Sequence, residues 1–178
     1  MADAIPAPPW TDRLARLRVP LGFMASALVL WLAEPTRTTL AAGGTVAVAG
    51  EALRIWAAGH LNKSREVSSS GPYRYFAHPL YVGSSLMGGG VALASGSLAV
   101  AAIVGLYLAT TIPAAVRREE AFLRSAFGDR YDRYRRGRVS PRPFSVAQAM
   151  TNREYRAVAG LVAAAMLLLL KATYNGTF

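Results

Sequence analysis

Five stretches of apolar residues follow one another along the chain, and charged or turn-forming residues separate them. They cover residues 19–33, 38–58, 79–94, 98–116 and 157–173. A helix that crosses a bilayer needs about 20 apolar residues, so flanking residues must complete the first, third and fifth stretches. The pattern predicts an all-α fold, a polytopic membrane bundle of about five transmembrane helices that forms one domain over residues 1–178.

Turn-forming and small residues refine this bundle. The third and fourth stretches are separated only by Ser95-Gly96-Ser97, which predicts a helical hairpin. Gly43, Gly44, Gly50 and Gly83 offer small faces on which helix backbones can approach one another closely. The run Gly88–Gly90 fits the same packing role, although three consecutive glycines also loosen a helix.

Composition supports a membrane protein and excludes several kinds of site. Hydrophobic residues make up 53% of the 178 residues and charged residues 17%, against about 25% charged residues in soluble domains. There is no cysteine and there are only two histidines, which excludes disulfides, thiolate chemistry and a histidine-rich metal site. No metal is therefore expected. The first residues do not resemble a cleaved signal peptide.

The net charge of +10 is distributed very unevenly. Seventeen of the 20 Lys and Arg residues lie in the N-terminal arm, in the connection after the second stretch, or in residues 117–156. Arg37 and Lys171 lie on the other side. The positive-inside rule then predicts a cytoplasmic N-terminus and an external C-terminus. Arginine outnumbers lysine 18 to 2, which favours a bacterial inner membrane.

The segment GPYRYFAHPLYVG, residues 71–83, is too specific for an ordinary loop. Gly-Pro signals a turn, and Pro79 suits the first turn of the third helix because its missing N–H needs no partner. The positive end of that helix would then face the cytoplasmic interface, where it suits an anionic group. The alternative is an aromatic belt, because a membrane interface also attracts tyrosine and phenylalanine.

The second unusual segment covers residues 117–144 and carries aromatic residues at helical spacing. It predicts an amphipathic helix or helix pair at the surface, broken near Gly128. Anionic lipid would account for its arginines but not for the adjacent acids Glu119 and Glu120. Those two acids either pair with Arg117 or Arg118, or bind a cationic ligand.

Charged residues also lie inside the second stretch. Glu51 and Arg54 are three residues apart, so they share a helix face and can pair. Charges within a membrane span are candidates for function, although a purely structural pair is equally open. His60 and Lys63 continue this polar stripe towards residues 71–83.

Taken together, GPYRYFAHPLYVG and the later REEAFLRSAFGDRYDRYRRGRVSPRP resemble the membrane methyltransferases of the isoprenylcysteine carboxyl methyltransferase and phospholipid methyltransferase group. The pattern of that group is a GPY segment leading to Arg-His-Pro-x-Tyr-x-Gly. A Glu-Glu pair, Phe-Gly, two tyrosines and a proline follow. The resemblance covers residues 50–144. Ala77 departs from it, because the group commonly has Arg before the histidine.

The resemblance implies S-adenosylmethionine as the cofactor, held at the cytoplasmic interface with its methyl group facing a lateral opening to lipid. The segments 59–83 and 117–150 would form a cofactor-binding cap of short helices. The residues that would bind the cofactor are His60, Lys63, Gly71, Pro72, Tyr73, His78, Pro79, Tyr81, Gly83, Glu119 and Glu120. The residues that would act in catalysis are Glu119, Glu120, Tyr134, Arg138 and Arg142.

The methyl acceptor stays open at this point. An arginine such as Arg138 or Arg142 would orient a carboxylate acceptor, and the same kind of residue would favour a thiolate. An amine would lose a proton to Glu119 or Glu120. A lipid or other hydrophobic molecule is the expected partner, together with anionic membrane lipid and without nucleic acid. The alternatives are an NADPH-dependent membrane reductase of the sterol-reductase kind and a protein that only binds anionic lipid.

Overall fold

The computed structural model describes residues 20, 24, 26–61, 70–127 and 143–177, and every regular element in these ranges is helical. The all-α class predicted from the sequence is therefore confirmed for the described residues. The elements are α1 (residues 26–32), α2 (Arg37–His60), a 3-10 helix (Gly71–Arg74), α3 (Pro79–Ala94), α4 (Leu98–Phe127), α5 (Val146–Thr151) and α6 (Tyr155–Tyr174).

Local sequence explains where these helices begin. The Thr36 side chain accepts a hydrogen bond from the backbone N–H of Thr39, and the Thr39 side chain accepts one from Thr36, so α2 starts at a capping box. Pro79 occupies the first turn of α3, where it removes no helical hydrogen bond. Ser145 caps α5 by accepting from the backbone N–H of Gln148.

The predicted turn between the third and fourth helices is present. Gly96 has φ +67°, in the left-handed region that glycine adopts at little cost. A Cβ at this position would collide with the carbonyl oxygen of Glu34, so the turn also lies tightly against the end of α1. The backbone N–H of Glu34 donates to the carbonyl of Ser95 at 2.7 Å, which joins the two connections.

The closest helix contact is between α2 and α3, which run antiparallel with their backbones almost touching. A Cβ on Gly50 would lie 2.7 Å from the carbonyl oxygen of Gly83, and a Cβ on Gly90 would lie 2.7 Å from Cα of Ala47. A Cβ on Gly43 would collide with the backbone of Ala94. The sequence prediction that small residues pack these helices therefore holds at these contacts, but not at Gly44 and Gly89, where a Cβ would meet open space.

The remaining helices surround this pair. A Cβ on Gly88 would lie 3.0 Å from Leu108, so α4 packs on α3 through that glycine. Leu168 of α6 packs with Ala33 and Ala94 in a small buried cluster. At the same end, the Lys171 ammonium donates to the carbonyl of Leu30 at 2.6 Å and to that of Trp31, which caps the C-terminal end of α1.

Two helices in the described part of the chain are long and apolar enough to cross a membrane, Leu98–Phe122 within α4 and Tyr155–Tyr174. Only 6% of the most apolar part of the first and 11% of the second are buried. A core helix of a soluble protein buries such side chains, so the outward-facing apolar surface favours contact with lipid. α3 is apolar but has only 16 residues. The number of five spans stays a prediction.

The structure also shows how the basic segment after the fourth apolar stretch begins. α4 does not end near residue 116 but continues to Phe127, so it is 30 residues long, with Pro113 within it. Glu119 and Glu120 therefore lie on a direct continuation of the long apolar helix. The predicted break near Gly128 lies outside the described residues.

The contact between α2 and α3 generates a matched pair of substitutions. In Gly90→Ala the new Cβ overlaps the backbone of Ala47, and such overpacking costs about 1–3 kcal/mol. In Gly89→Ala the new Cβ meets open space, so the change gains about 0.5–1 kcal/mol of helix propensity. The thermal unfolding midpoint in detergent should fall only for Gly90→Ala. Equal midpoints for the two variants would contradict the close contact.

Candidate functional site at the start of α3

The segment that leads into α3 is anchored on the end of α2. Gly71 opens the 3-10 helix with φ +59°, and a Cβ there would lie 2.6 Å from the imidazole of His60. The His60 Nδ1 donates to the carbonyl of Trp56 at 2.9 Å, and the ring of Phe144 lies 5.8 Å from the His60 ring. His60 and Gly71 therefore pack together, which places the 3-10 helix against α2.

The chain then turns into α3. Both Tyr75 and Phe76 donate their backbone N–H to the carbonyl of Pro72 at 3.0 Å, which closes the turn. Pro72 and Pro79 are fully buried. His78 is the N-cap of α3, but its side chain makes no capping hydrogen bond. Its imidazole is therefore available for contacts beyond its own helix.

Those contacts are with the two acids of α4. The His78 Nε2 lies 3.4 Å from Oε1 of Glu120, and its Nδ1 lies 3.7 Å from Oε2 of Glu119. The ring of Tyr81, one turn into α3, lies 5.9 Å from the His78 ring. The side chain of His78 is 15% exposed, against 26% for Glu120 and 40% for Glu119. The carboxylates thus keep surface for a ligand while the histidine lies behind them.

The two carboxylates change the proton affinity of this histidine. The interaction with Glu119 raises the pKa of His78 above its ordinary value of 6.5, and Glu120 acts in the same direction. Burial opposes the shift because it disfavours the charged imidazolium. The two partly exposed carboxylates thus stabilise the protonated form of His78, and they also suit a cationic ligand.

The structure thus brings four of the predicted site residues into one cluster, His78, Tyr81, Glu119 and Glu120. The sequence left open whether the acids pair with a neighbouring arginine or bind a ligand, and here both face a histidine 41 or 42 positions earlier. Sequence reasoning did not predict this contact, because only the packing of α4 on α3 creates it.

Other predicted residues lie beside this cluster or outside the described ranges. Gly83 packs against Arg54 and the carbonyl of Gly50, so its small size serves the helix contact. Tyr73 is half-buried in the 3-10 helix, whereas Tyr75 and Phe76 are exposed, as an aromatic belt requires. The predicted residues Lys63, Tyr134, Arg138 and Arg142 lie outside the described residues.

Sequence reasoning missed a second group of polar residues, at the junction of α5 and α6. The Asn152 side-chain amide donates to the carbonyls of Ala58 and Leu61 at 2.8 and 2.7 Å, where α2 ends. Glu154 accepts a hydrogen bond from Arg54 at 2.7 Å. The only signal in the sequence is the polar triplet 152–154, and nothing in it names a partner a hundred positions earlier.

A family model described as phospholipid methyltransferase matches residues 18–130. The chain belongs to the phospholipid methyltransferase family. This match confirms the resemblance drawn from residues 71–83 and 118–143. It includes the whole of α2, α3 and α4, and with them His78 and both glutamates.

Three curated proteins are similar to part of this family member. It is 36% identical over 99 residues to the cobalt-zinc-cadmium resistance protein CzcN of Cupriavidus metallidurans, covering 54% of this chain and 44% of that protein. It is 33% identical over 108 residues to the nickel-cobalt-cadmium resistance protein NccN of Alcaligenes xylosoxydans xylosoxydans, covering 60% and 49%. It is 32% identical over 88 residues to protein-S-isoprenylcysteine O-methyltransferase of Schizosaccharomyces pombe, covering 49% and 37%.

The chain therefore covers less than half the length of each of these relatives. No solved structure matches it significantly.

The contact between His78 and the glutamates makes stability depend on pH. Because the folded-state pKa of His78 is raised, its contribution is fully present below about pH 6.5 and is lost as pH rises through the folded pKa. The unfolding midpoint should therefore fall with rising pH in this window. His78→Asn should remove this part of the pH dependence, and Glu119→Gln should reduce it. Identical pH profiles for the wild type and His78→Asn would show that the contact does not form.

Proposed function

We propose that this protein is an integral membrane methyltransferase that uses S-adenosylmethionine and methylates a hydrophobic or lipid-type acceptor. The observation that carries the proposal is the cluster of His78, Glu119 and Glu120 at the start of α3, in a chain of the phospholipid methyltransferase family. The fission yeast relative is named as an O-methyltransferase of isoprenylcysteine, which supports a lipid-type acceptor.

The side chains present fit the chemistry of this cofactor. S-adenosylmethionine carries a cationic ammonium and sulfonium and an anionic carboxylate. The partly exposed carboxylates of Glu119 and Glu120 suit the cations, and the face of Tyr81 adds an aromatic surface that attracts positive charge. The positive end of α3 suits the carboxylate.

The roles of the residues follow from this fit. When bound, S-adenosylmethionine supplies an electrophilic methyl group. Glu119 and Glu120 accept hydrogen bonds from its amino end, and His78 holds the two carboxylates in place. Most of the acceleration in such a displacement comes from orienting the acceptor in line with the methyl group, so these residues bind and orient. An amine acceptor would lose a proton to a glutamate, whereas a carboxylate acceptor needs no base.

We further propose the topology. Five spans, with the N-terminus and the site on the cytoplasmic side of a bacterial inner membrane, agree with the distribution of Lys and Arg. The acceptor would then reach the site from the bilayer, past the apolar side chains that α4 exposes. Arg138 and Arg142, from the basic segment that follows α4, are proposed to orient the acceptor.

Ligand binding to purified protein tests the proposal. S-adenosylhomocysteine should raise the unfolding midpoint of the wild type, whereas NADPH should leave it unchanged. Glu120→Gln should weaken this binding at least tenfold, which corresponds to about 1.4 kcal/mol. Glu34→Gln is the matched control, because Glu34 is an exposed acid in the connection between α1 and α2.

A second measurement addresses the acceptor. Native membranes that contain the protein are supplied with a methyl-labelled donor, and the label should appear in the lipid extract. Stabilisation by NADPH alone would favour a reductase. If neither S-adenosylhomocysteine nor NADPH changes the unfolding midpoint of the wild type or of Glu120→Gln, a protein that only binds lipid would be favoured.

A further inference from the structure

Arg54 lies where three helices meet, and its guanidinium contacts all of them. From α2, its Nε donates to Oε1 of Glu154 at 2.7 Å, immediately before α6. Its Nη1 donates to the hydroxyl of Ser84 and, at 3.5 Å, to the carbonyl oxygen of Leu80, both on α3. The Ser84 hydroxyl in turn donates to the carbonyl of Leu80 at 2.9 Å. One side chain thus holds the start of α3 and the start of α6 together.

The side chains that make these contacts are largely buried. The side chain of Arg54 is 20% exposed and that of Glu154 is 8% exposed. A buried charge that loses its partner is strongly unfavourable, so the position of each group is closely coupled to the other. The planar fork of arginine can reach partners on two helices at once, whereas the single ammonium of lysine cannot reproduce that geometry.

Glu154 is itself held by the backbone around it. Its backbone N–H donates to the carbonyl of Ala149 at 3.2 Å, and Asn152 is bonded to the end of α2. Arg153, between Asn152 and Glu154, has φ +62°, an unfavourable conformation for a residue with a side chain. Such a conformation persists only where its surroundings hold it, so the junction of α5 and α6 presents Glu154 to Arg54 in a fixed position.

A second buried acid, Glu51, lies beside the Arg54–Glu154 pair but is farther from the guanidinium. Glu51 lies one turn before Arg54 and is 5% exposed, and neither of its carboxylate oxygens has a hydrogen-bond partner among the described residues. Its Oε2 is 3.7 Å from Nε of Arg54, compared with 2.7 Å for Glu154. One guanidinium therefore bonds one of two buried acids.

The connection to the candidate site is short. Leu80, whose carbonyl Arg54 contacts, comes two residues after His78 and lies in the first turn of α3. On a different face of α3, His78 meets Glu119 and Glu120 of α4. The start of α3 is thus held from α2 and α6 by Arg54, and from α4 by the two acids.

We propose that Arg54, through its pair with Glu154, is a positioning residue for the site. It fixes the first turn of α3, and so fixes the distance from His78 to the acids of α4. The proposal rests on the proposed function only where cofactor binding is the measured quantity. The position of His78 depends on the hydrogen bond between Arg54 and Glu154, and it does not depend on the second acid, Glu51.

Two matched substitutions test this. Glu154→Gln and Glu51→Gln make the same chemical change in the same buried cluster, but only the first removes the hydrogen-bonded partner of Arg54. Glu154→Gln should weaken binding of S-adenosylhomocysteine at least tenfold, measured by calorimetry on the full chain in detergent. Glu51→Gln should keep the dissociation constant within about twofold, because Glu51 accepts no hydrogen bond from Arg54 and so does not fix its position.

A second readout does not depend on the cofactor. The fall of the unfolding midpoint with pH reports the contact between His78 and the α4 acids. If Arg54 positions His78, Glu154→Gln and Arg54→Lys should reduce that fall to less than half of the wild-type value. If Arg54 only supports the fold, these variants should lower the midpoint equally at every pH, and that result would overturn the proposal.

Further outcomes are equally decisive. Where Glu154→Gln does not fold, Ser84→Ala removes only an anchor on α3 and should reduce the same pH dependence. Equal losses in Glu51→Gln and Glu154→Gln would overturn the proposal, because the total charge of the cluster would then be what matters. If no variant and not even the wild type binds S-adenosylhomocysteine, the proposed function fails, whereas the pH readout still decides the role of Arg54.

Discussion

The near-contact of the α2 and α3 backbones is the constraint on which the rest of this structure depends. Glycines at 50, 83 and 90 let the two backbones approach closely, so the helices lie in a fixed antiparallel register. That register places Arg54 beside the first turn of α3. The end of α2 also supports the 3-10 helix through His60. A larger side chain at the interface would therefore disturb the candidate site as well as the packing.

Two groups of charged side chains lie at the start of α3, and they differ in exposure. Arg54 and Glu154 form a largely dry pair that joins three helices, whereas His78 and the α4 acids form a half-open cluster. A dry pair is suited to holding position, because separating it is costly. A half-open cluster with two partly exposed carboxylates is suited to binding a cation. Under the proposed function, that division would separate support of the site from recognition of the cofactor.

Much of this organisation could be predicted from sequence, where the cause is local. Apolar stretches predicted the helices, Pro79 predicted the start of α3, and the motif pair predicted the family. Long-range partners could not be predicted, because they depend on how helices pack. The Glu51–Arg54 spacing predicted an ion pair, and the structure contains it at 3.7 Å. The closer hydrogen bond from Arg54 to Glu154 could not be predicted, because no helical period connects positions a hundred residues apart. Likewise, no local pattern indicated that His78 meets Glu120.

The most direct test is a structure of the full chain in lipid nanodiscs with S-adenosylhomocysteine. The amino group of the ligand should lie within hydrogen-bonding distance of Glu119 or Glu120, with His78 still in contact with those acids. The ligand carboxylate should face the first turn of α3. A ligand bound elsewhere on the protein, with neither glutamate in contact, would contradict the assignment of this site.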